Sequence, residues 1–310
     1  MENLKGRSFI NLWDFTSSQI EGLIELAQKL KNDNKTGIEH RMFAGKNLVL
    51  IFSKPSLRTR VSFEVGATQL GMTTLTLKQD EINLGVRETI ADTARVLSQY
   101  ANCVMIRTFA HSDVEEFAQY ASIPVINGLT DNSHPCQVMA DLLTTKEHFG
   151  HLKGLKFTYV GDGNNMANSL MVGCAHVGMD VTIACPKGYE PMQTYVDAAR
   201  KIAQTTGSKV EIVNSPEEGA KEANIVYTDV WASMGQEDEA IARKKIFAPY
   251  QINAELLQNA ADNHIVLHCL PAHRGEEITA DIIEKHANII FEQAQNRMHA
   301  QKAVMAAIIK

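Results

Sequence analysis

Two kinds of hydrophobic spacing alternate along the chain. Ile20, Leu23, Ile24, Ala27 and Leu30 recur at helical steps, after a capping box read as Ser18 to Glu21 and before a break over 32–37. Residues 47–52 (NLVLIF) are instead a short unbroken apolar run, which predicts a buried strand. A helix over 61–70 follows, with Gly71 as its stop. Further on, the pattern predicts a strand at 73–78, a polar loop over 79–87, and a helix within 88–100. A strand at 103–109, a short helix at 113–121, a strand at 123–129 and a helix from Pro135 to residue 147 complete this half. A second series places strands near 155–160, 181–185, 210–213, 225–228 and 265–268, with helices between them and an Ala-rich helix over 293–308.

Strands that alternate with helices imply parallel sheets covered on both faces. The fold class read from this is α/β: two doubly wound parallel-sheet domains, with the active site expected in the cleft between them. The expected boundaries are 1–148 and 149–288, with a C-terminal helix, 289–310, packing back on the first domain. A chain of 310 residues is long enough for two cores. Its net charge of −6 gives no reason to expect a nucleic-acid or membrane surface, so any basic site must be local. No apolar run reaches the ~18 residues of a membrane span, and the opening residues carry no signal-peptide pattern. The five cysteines are odd in number and scattered, with no C-x-x-C, so neither a zinc site nor a disulfide framework is expected. A cytoplasmic location follows as the expectation.

Ligands of open parallel sheets bind beyond the carboxyl ends of the strands, and unusual residues gather at those ends. Ser56, Arg58, Thr59 and Arg60 lie where the first strand turns into a helix, a place that favours phosphate. Arg107 ends an otherwise apolar strand, and 131–137 (DNSHPCQ) opens a helix with His134 and Gln137. The stretch 159–166 (YVGDGNNM) mimics a dinucleotide fingerprint, but Met166 takes its third glycine position and no acid follows the next strand. The stretches 229–236 (DVWASMGQ) and 268–275 (HCLPAHRG) follow two later strands. Each has an ordinary reading beside the chemical one: a helix cap, an ion-paired Arg, a packed Trp, an inert core Cys.

Taken together, Ser-x-Arg-Thr-Arg, His-Pro-Cys-Gln, Gly-Asp-Gly-Asn-Asn, Asp-x-Trp-x-Ser-Met-Gly, His-Cys-Leu-Pro and a C-terminal Asn-Arg-Met-His (296–299) run in order through the whole chain. They resemble the aspartate/ornithine transcarbamylase family, on its ornithine-using side. The resemblance implies transfer of a carbamoyl group from carbamoyl phosphate to the δ-amine of L-ornithine, a step of arginine metabolism giving citrulline and phosphate. It implies that Arg107, His134, Cys269 and Asp229 are catalytic. Carbamoyl phosphate would be held by Ser56, Leu57, Arg58, Thr59, Asn83, Arg107, His134, Pro135, Cys136, Gln137, Cys269, Leu270 and Arg297. Ornithine would be held by Asn165, Asp229, Ser233 and Met234, with the Ser233 loop closing after it enters. No metal and no cofactor are implied, nor any nucleic-acid or membrane partner, and the assembly expected is a homotrimer or a higher form built on it. Leu57, Ser53 and Asn83 depart from the family pattern, where Thr, Glu and Gln or His are usual. The competing readings are a sister enzyme using putrescine, acetylornithine or aspartate, a carbamoyl-phosphate sensor, and a nucleotide-dependent dehydrogenase.

Overall fold

A computed structural model of the chain describes residues 4–232 and 237–310. The chain forms two compact units, Met1–Leu143 with Asn296–Lys310, and Thr144–Gln295. In order, the first half runs α1 (Ser17–Lys35), β1 (Asn47–Phe52), α2 (Leu57–Gln69), β2 (Thr73–Lys78), α3 (Gln79–Ile82), α4 (Ile90–Tyr100), β3 (Cys103–Arg107), α5 (His111–Tyr120), β4 (Val125–Leu129) and α6 (Pro135–Phe149). The second runs β5 (Lys156–Val160), α7 (Asn165–His176), β6 (Asp180–Ala184), α8 (Gln193–Thr206), β7 (Val210–Val213), α9 (Pro216–Ala220), β8 (Ile225–Thr228), α10 (Ala240–Phe247), β9 (Ile265–His268), α11 (Ala280–Lys285) and α12 (Ala287–Ile308).

Each unit holds one fully parallel sheet, ordered β2-β1-β3-β4 in the first and β7-β6-β5-β8-β9 in the second. The inner strands were easy to read because burial on both faces demands continuous apolar side chains. β3 is buried at every position, whereas β2, at an edge, alternates. Val49, Ile51, Val104, Ile106 and Val125 pack under Ile90 and Ala94 of α4 and Val114 and Phe117 of α5. Val160, Val226 and Val266 do the same in the second unit, against Ile278, Ile282 and Ile290.

Three local expectations change. The first helix is capped by Thr16, whose hydroxyl accepts from the Gln19 N–H while Gln19 Oε1 accepts from the Thr16 N–H. The capping box therefore lies at 16–19 rather than 18–21, and Gln19 is buried in making it. α2 begins at Leu57, not at 61, because Ser56 caps it through the Thr59 N–H. Part of the polar loop after β2 is the single turn α3, stopped by Asn83 in the left-handed region at φ 44°, a conformation Asn tolerates better than most residues.

The chain reverses its direction across each sheet beside that sheet's first strand, between β1 and β3 and between β5 and β8. Loops leaving the carboxyl ends of such neighbours diverge and open a crevice. That makes the segments following β1, β3, β5 and β8 the candidate binding segments of the two units. Among the described residues, no helix is long and apolar enough to cross a membrane, and no three His, Cys, Asp or Glu are grouped to hold a metal.

Candidate active site

In the first unit, β1 and β3 are paired in register, Phe52 beside Arg107, and the Ser53 N–H donates to the Arg107 carbonyl at 2.8 Å. This brings the start of α2 beside the Arg107 side chain. Thr59 is buried in the first turn, and its Oγ1 accepts from Arg107 Nη1 at 3.4 Å and Arg297 Nη2 at 3.2 Å. Arg297 Nη1 also donates to Gln137 Oε1 at 2.6 Å, and Gln137 Nε2 to Asp141 Oδ1 at 2.8 Å. An Arg can only donate, so the orientation of the Gln137 amide is settled. His134 lies buried among these groups. Burial first, and then the charges of Arg297, Arg107 and Arg58, hold its pKa well below the ordinary value. It is a neutral imidazole at physiological pH.

The remaining first-unit residues sort themselves by direction. Leu57, 75% exposed at the first position of α2, adds its backbone N–H to the unpaired donors of the helix tip. Arg60 turns outward and pairs with Glu64 one turn on, at 2.9 Å, leaving Arg58 alone of that pair near His134. Cys136 follows Pro135 at the start of α6, fully buried, with its Sγ against the Asn127 carbonyl; burial pushes its thiol up to about 12. Only its backbone can face a ligand. Asn83 lines a cavity of about 680 Å³ with Phe52, Ser53, Ser56, Leu57 and Gln79. Lys54 was not singled out from the sequence: it is 4% exposed, its Nζ 2.5 Å from Asp131 Oδ1 and 4.1 Å over the Phe109 ring. It thereby ties together the loops after β1, β3 and β4. Its place beside Pro55 and Ser56 in an otherwise apolar-to-polar turn was the only signal available.

In the second unit, the turn after β5 resembles a nucleotide loop for steric reasons. A Cβ on Gly163 would lie 2.4 Å from the backbone of 189–191, so a side chain has no room there. Asn164 caps α7, accepting from the Met166 and Ala167 N–H groups, and Asn165 is that helix's first residue. Asp229, directly after β8, is nearly buried; its Oδ1 accepts from the Val230 N–H at 2.8 Å and from Cys269 Sγ at 2.9 Å. Asp162 is gripped by both terminal nitrogens of Arg243, at 3.1 and 3.0 Å, and Arg243 lies over the rings of Tyr189 and Phe247. Trp231 packs nearly parallel to Phe247. Ser233 and Met234 lie outside the described residues, as does the loop whose closure was expected.

After β9, His268 governs the turn that carries Cys269 and Leu270. Its Nδ1 accepts from the Leu270 N–H at 2.8 Å, so the ring proton sits on Nε2 and is donated to Glu277 Oε1 at 3.1 Å. Glu277 Oε1 also takes the His273 N–H, and Gln293 Oε1 takes the His268 N–H at 3.0 Å. These contacts hold Leu270 at φ 57°, a strained value for a residue with a side chain. The Leu270–Pro271 peptide is cis. Glu277, fully buried, had no distinguishing pattern in the sequence.

Residues 7–147 match the carbamoyl-P binding domain of aspartate/ornithine carbamoyltransferases, and residues 153–308 match the Asp/Orn binding domain. The chain belongs to the aspartate/ornithine carbamoyltransferase family. It is 53% identical over 306 residues to an ornithine carbamoyltransferase of Anoxybacillus flavithermus, covering 99% of this chain and 98% of that one. It is likewise 53% identical to that of Symbiobacterium thermophilum over 309 residues, the whole of both chains. The solved ornithine carbamoyltransferase from Pyrococcus furiosus superimposes with a TM-score of 0.97 at 48% identity, covering 100% of this chain and 99% of that one. Within this carbamoyltransferase family frame the nucleotide-like turn needs no nucleotide, and Met166, 1% exposed, is a core residue of α7.

The Asp162–Arg243 pair carries a pH signature. Burial outweighs the Arg243 charge and raises the Asp162 carboxyl to about 6, with Asp229 and Glu239 adding to the rise. The folded protein therefore keeps a proton here that the unfolded chain has lost above ~4. The sign is opposite to that of an ordinary paired carboxylate: this group's contribution to stability falls as pH rises from about 4 through about 6. Asp162→Asn removes the titration. In calorimetry at stepped pH, the Tm of the variant relative to the parent is expected to improve between pH ~4.5 and ~7. A Tm difference that is flat or worsens over that range contradicts the assignment.

Proposed function

We propose that the first unit binds carbamoyl phosphate through Ser56, Arg58, Thr59, Arg107, His134, Gln137 and Arg297, and the second binds L-ornithine. The reaction is transfer of the carbamoyl group to the δ-amine, giving citrulline and phosphate. What carries this reading is the Thr59 hydroxyl, which accepts from two buried guanidiniums. With both accepting directions used, its own proton is left to donate to an oxygen that gains charge, such as the carbamoyl carbonyl. Neutral His134 is a second donor to that oxygen, and Arg58, Arg107 and the α2 N-terminus neutralise the phosphate. Gln137 Oε1 keeps a lone pair for the carbamoyl NH₂ beside its bond to Arg297, and the Leu270 carbonyl is the other acceptor in this reading.

The amine is the harder half. An ammonium with a pKa near that of lysine, about 10, must lose a proton before it attacks. Asp229 and Cys269, in contact through Oδ1 and Sγ, are the groups we assign to that step. The nitrogen then bonds to the carbonyl carbon, the carbon–oxygen bond to phosphate breaks, and the second proton leaves with the phosphate. Asn165 is assigned to ornithine's α-carboxylate, and Ser233 and Met234 are retained as partners of its α-amino and carboxylate groups by resemblance alone.

The assembly belongs to the same proposal. Leu57, Val61 and Val65 form an exposed stripe at helical spacing along α2, beside Leu75 on the edge strand β2. Such contiguous apolar surface favours cover by another copy, and the threefold state rests on the family resemblance. A cytoplasmic setting is proposed with it, supported by five free cysteines.

Three measurements test the reading. Purified protein given carbamoyl phosphate with ornithine, putrescine, N-acetylornithine or aspartate is expected to form a ureido product selectively with ornithine. Preference for another amine would overturn the second-unit assignment. Thr59→Val is expected to lower kcat/KM for carbamoyl phosphate ~10- to 100-fold, the cost of a charged hydrogen bond; an effect under about twofold removes Thr59 from the site. In sedimentation, the parent should run as a trimer of 34.3-kDa chains, and Val65→Glu should shift it toward monomer. A monomeric parent would refute the assembly.

A further inference from the structure

We propose that Asn164, besides capping α7, is a positioning residue that sets the rotation of the Asp229 carboxylate and thereby the reactivity of the amine site. The inference rests on the ornithine reading above. Asn164 Oδ1 accepts from the Met166 N–H at 2.9 Å, the Ala167 N–H at 3.3 Å and the Tyr159 hydroxyl at 3.3 Å. Three donors on one oxygen exclude the flipped amide, which would press an NH₂ group against two backbone N–H groups. The Nδ2 donor is therefore obliged to point elsewhere, and it meets Asp229 Oδ2 at 3.0 Å. That contact fixes the far oxygen of the carboxylate, while the near oxygen, Oδ1, faces Cys269 and the Val230 N–H.

The consequence is a carboxylate whose two oxygens do different work. One is held by a helix cap; the other is presented, together with a thiol, to whatever amine arrives. The groups around Asp229 are Cys269, Asn164, Tyr159, whose hydroxyl is kept protonated by burial and by Asp229, and Asp162 with its partner Arg243. None of these donates a hydrogen bond to Oδ2 other than Asn164 among the bonds described. Without the Asn164 amide, Oδ2 loses its described donor and only the Oδ1 bonds restrain the carboxylate, so a cap-only role and a positioning role make different predictions.

Asn164→Ser and Asn164→Asp separate them, because both keep an oxygen suited to the N-cap while removing the Nδ2 donor. Both variants are expected to keep Tm within ~3 °C of the parent, as caps of similar quality do. Asn164→Ser should lower kcat/KM for the parent's best amine about tenfold or more, the scale of a lost hydrogen bond to a charge, with the KM for carbamoyl phosphate unchanged. Asn164→Asp sets a second carboxylate against Asp229, which stabilises the protonated form. It should lower kcat/KM further and move the acidic limb of the pH profile upward. Unchanged kinetics in both variants would overturn the proposal. So would a fall in Tm with equal losses for both substrates, which is the cap-only result. Failure of the ornithine reading is distinct: it appears in the parent, as a different best amine or no turnover.

Discussion

Guanidinium groups gathered in one place repel one another, and the first unit is arranged around that repulsion. Arg58, Arg107 and Arg297 come from the start of one helix, the end of one strand and the middle of the last helix, and all act on His134. Each guanidinium hydrogen bond drawn to Thr59 or Gln137 restrains a charge without cancelling it. The imidazole among them stays neutral because it is buried and, secondarily, because a fourth cation there would be costly. The three guanidiniums are thus gathered, restrained and partly desolvated around a neutral imidazole. In the proposed reading, these guanidiniums compensate the phosphate dianion until it departs with its proton. In that reading the binding is differential in the useful direction, since the charge is best compensated when the leaving group carries most of it.

The second unit solves an opposite problem with negative charge. The charge of Asp229 lies near enough to Asp162 to raise the latter's proton affinity, and Arg243 pairs with Asp162. Asp229 is answered by an amide, a backbone N–H and a thiol, all neutral. On the proposed ornithine reading, a carboxylate held by hydrogen bonds rather than by a cation is left to an incoming ammonium. Had a guanidinium been paired with Asp229 instead, the amine would find its partner already neutralised. The ion pair at Asp162 anchors structure, and the hydrogen-bonded carboxylate of Asp229 is the one the proposal assigns to chemistry.

Much of this was readable from the chain, and the reason is the parallel sheet. Strands buried on both faces must be apolar runs, so β1, β3, β8 and β9 stood out, and a polar residue just after such a run had to be in a loop at a sheet's binding edge. Arg107, Asp229 and Cys269 stand out as candidates in that way, and the family resemblance implies partners for them. What could not be read were pairings between distant residues whose types are unremarkable. Lys54 meets Asp131 at a separation of 77 residues, Asn164 meets Asp229 at 65, and Arg243 meets Asp162 at 81. Nor could spacing tell Arg58 from Arg60. Their difference is rotation about a helix whose start depends on one serine hydroxyl, and moving that start from 61 to 57 turned the second arginine out to Glu64.

The caps show why such errors matter to function. Ser56 and Asn164 both stop a strand-to-helix turn by the same device, a side-chain oxygen accepting a backbone N–H. In each case the cap also determines which later side chains face the ligand. For α2 it sets Thr59 inward and Leu57 outward; for α7 it leaves an amide donor over for Asp229. A helix terminus already offers unpaired N–H groups and a favourable dipole to anions. Fixing its first turn with one short polar residue gives the surrounding side chains a defined direction as well. On the proposed reading, the same few atoms that cap the helix also orient the chemistry, so a substitution that preserves the cap would still disturb the site.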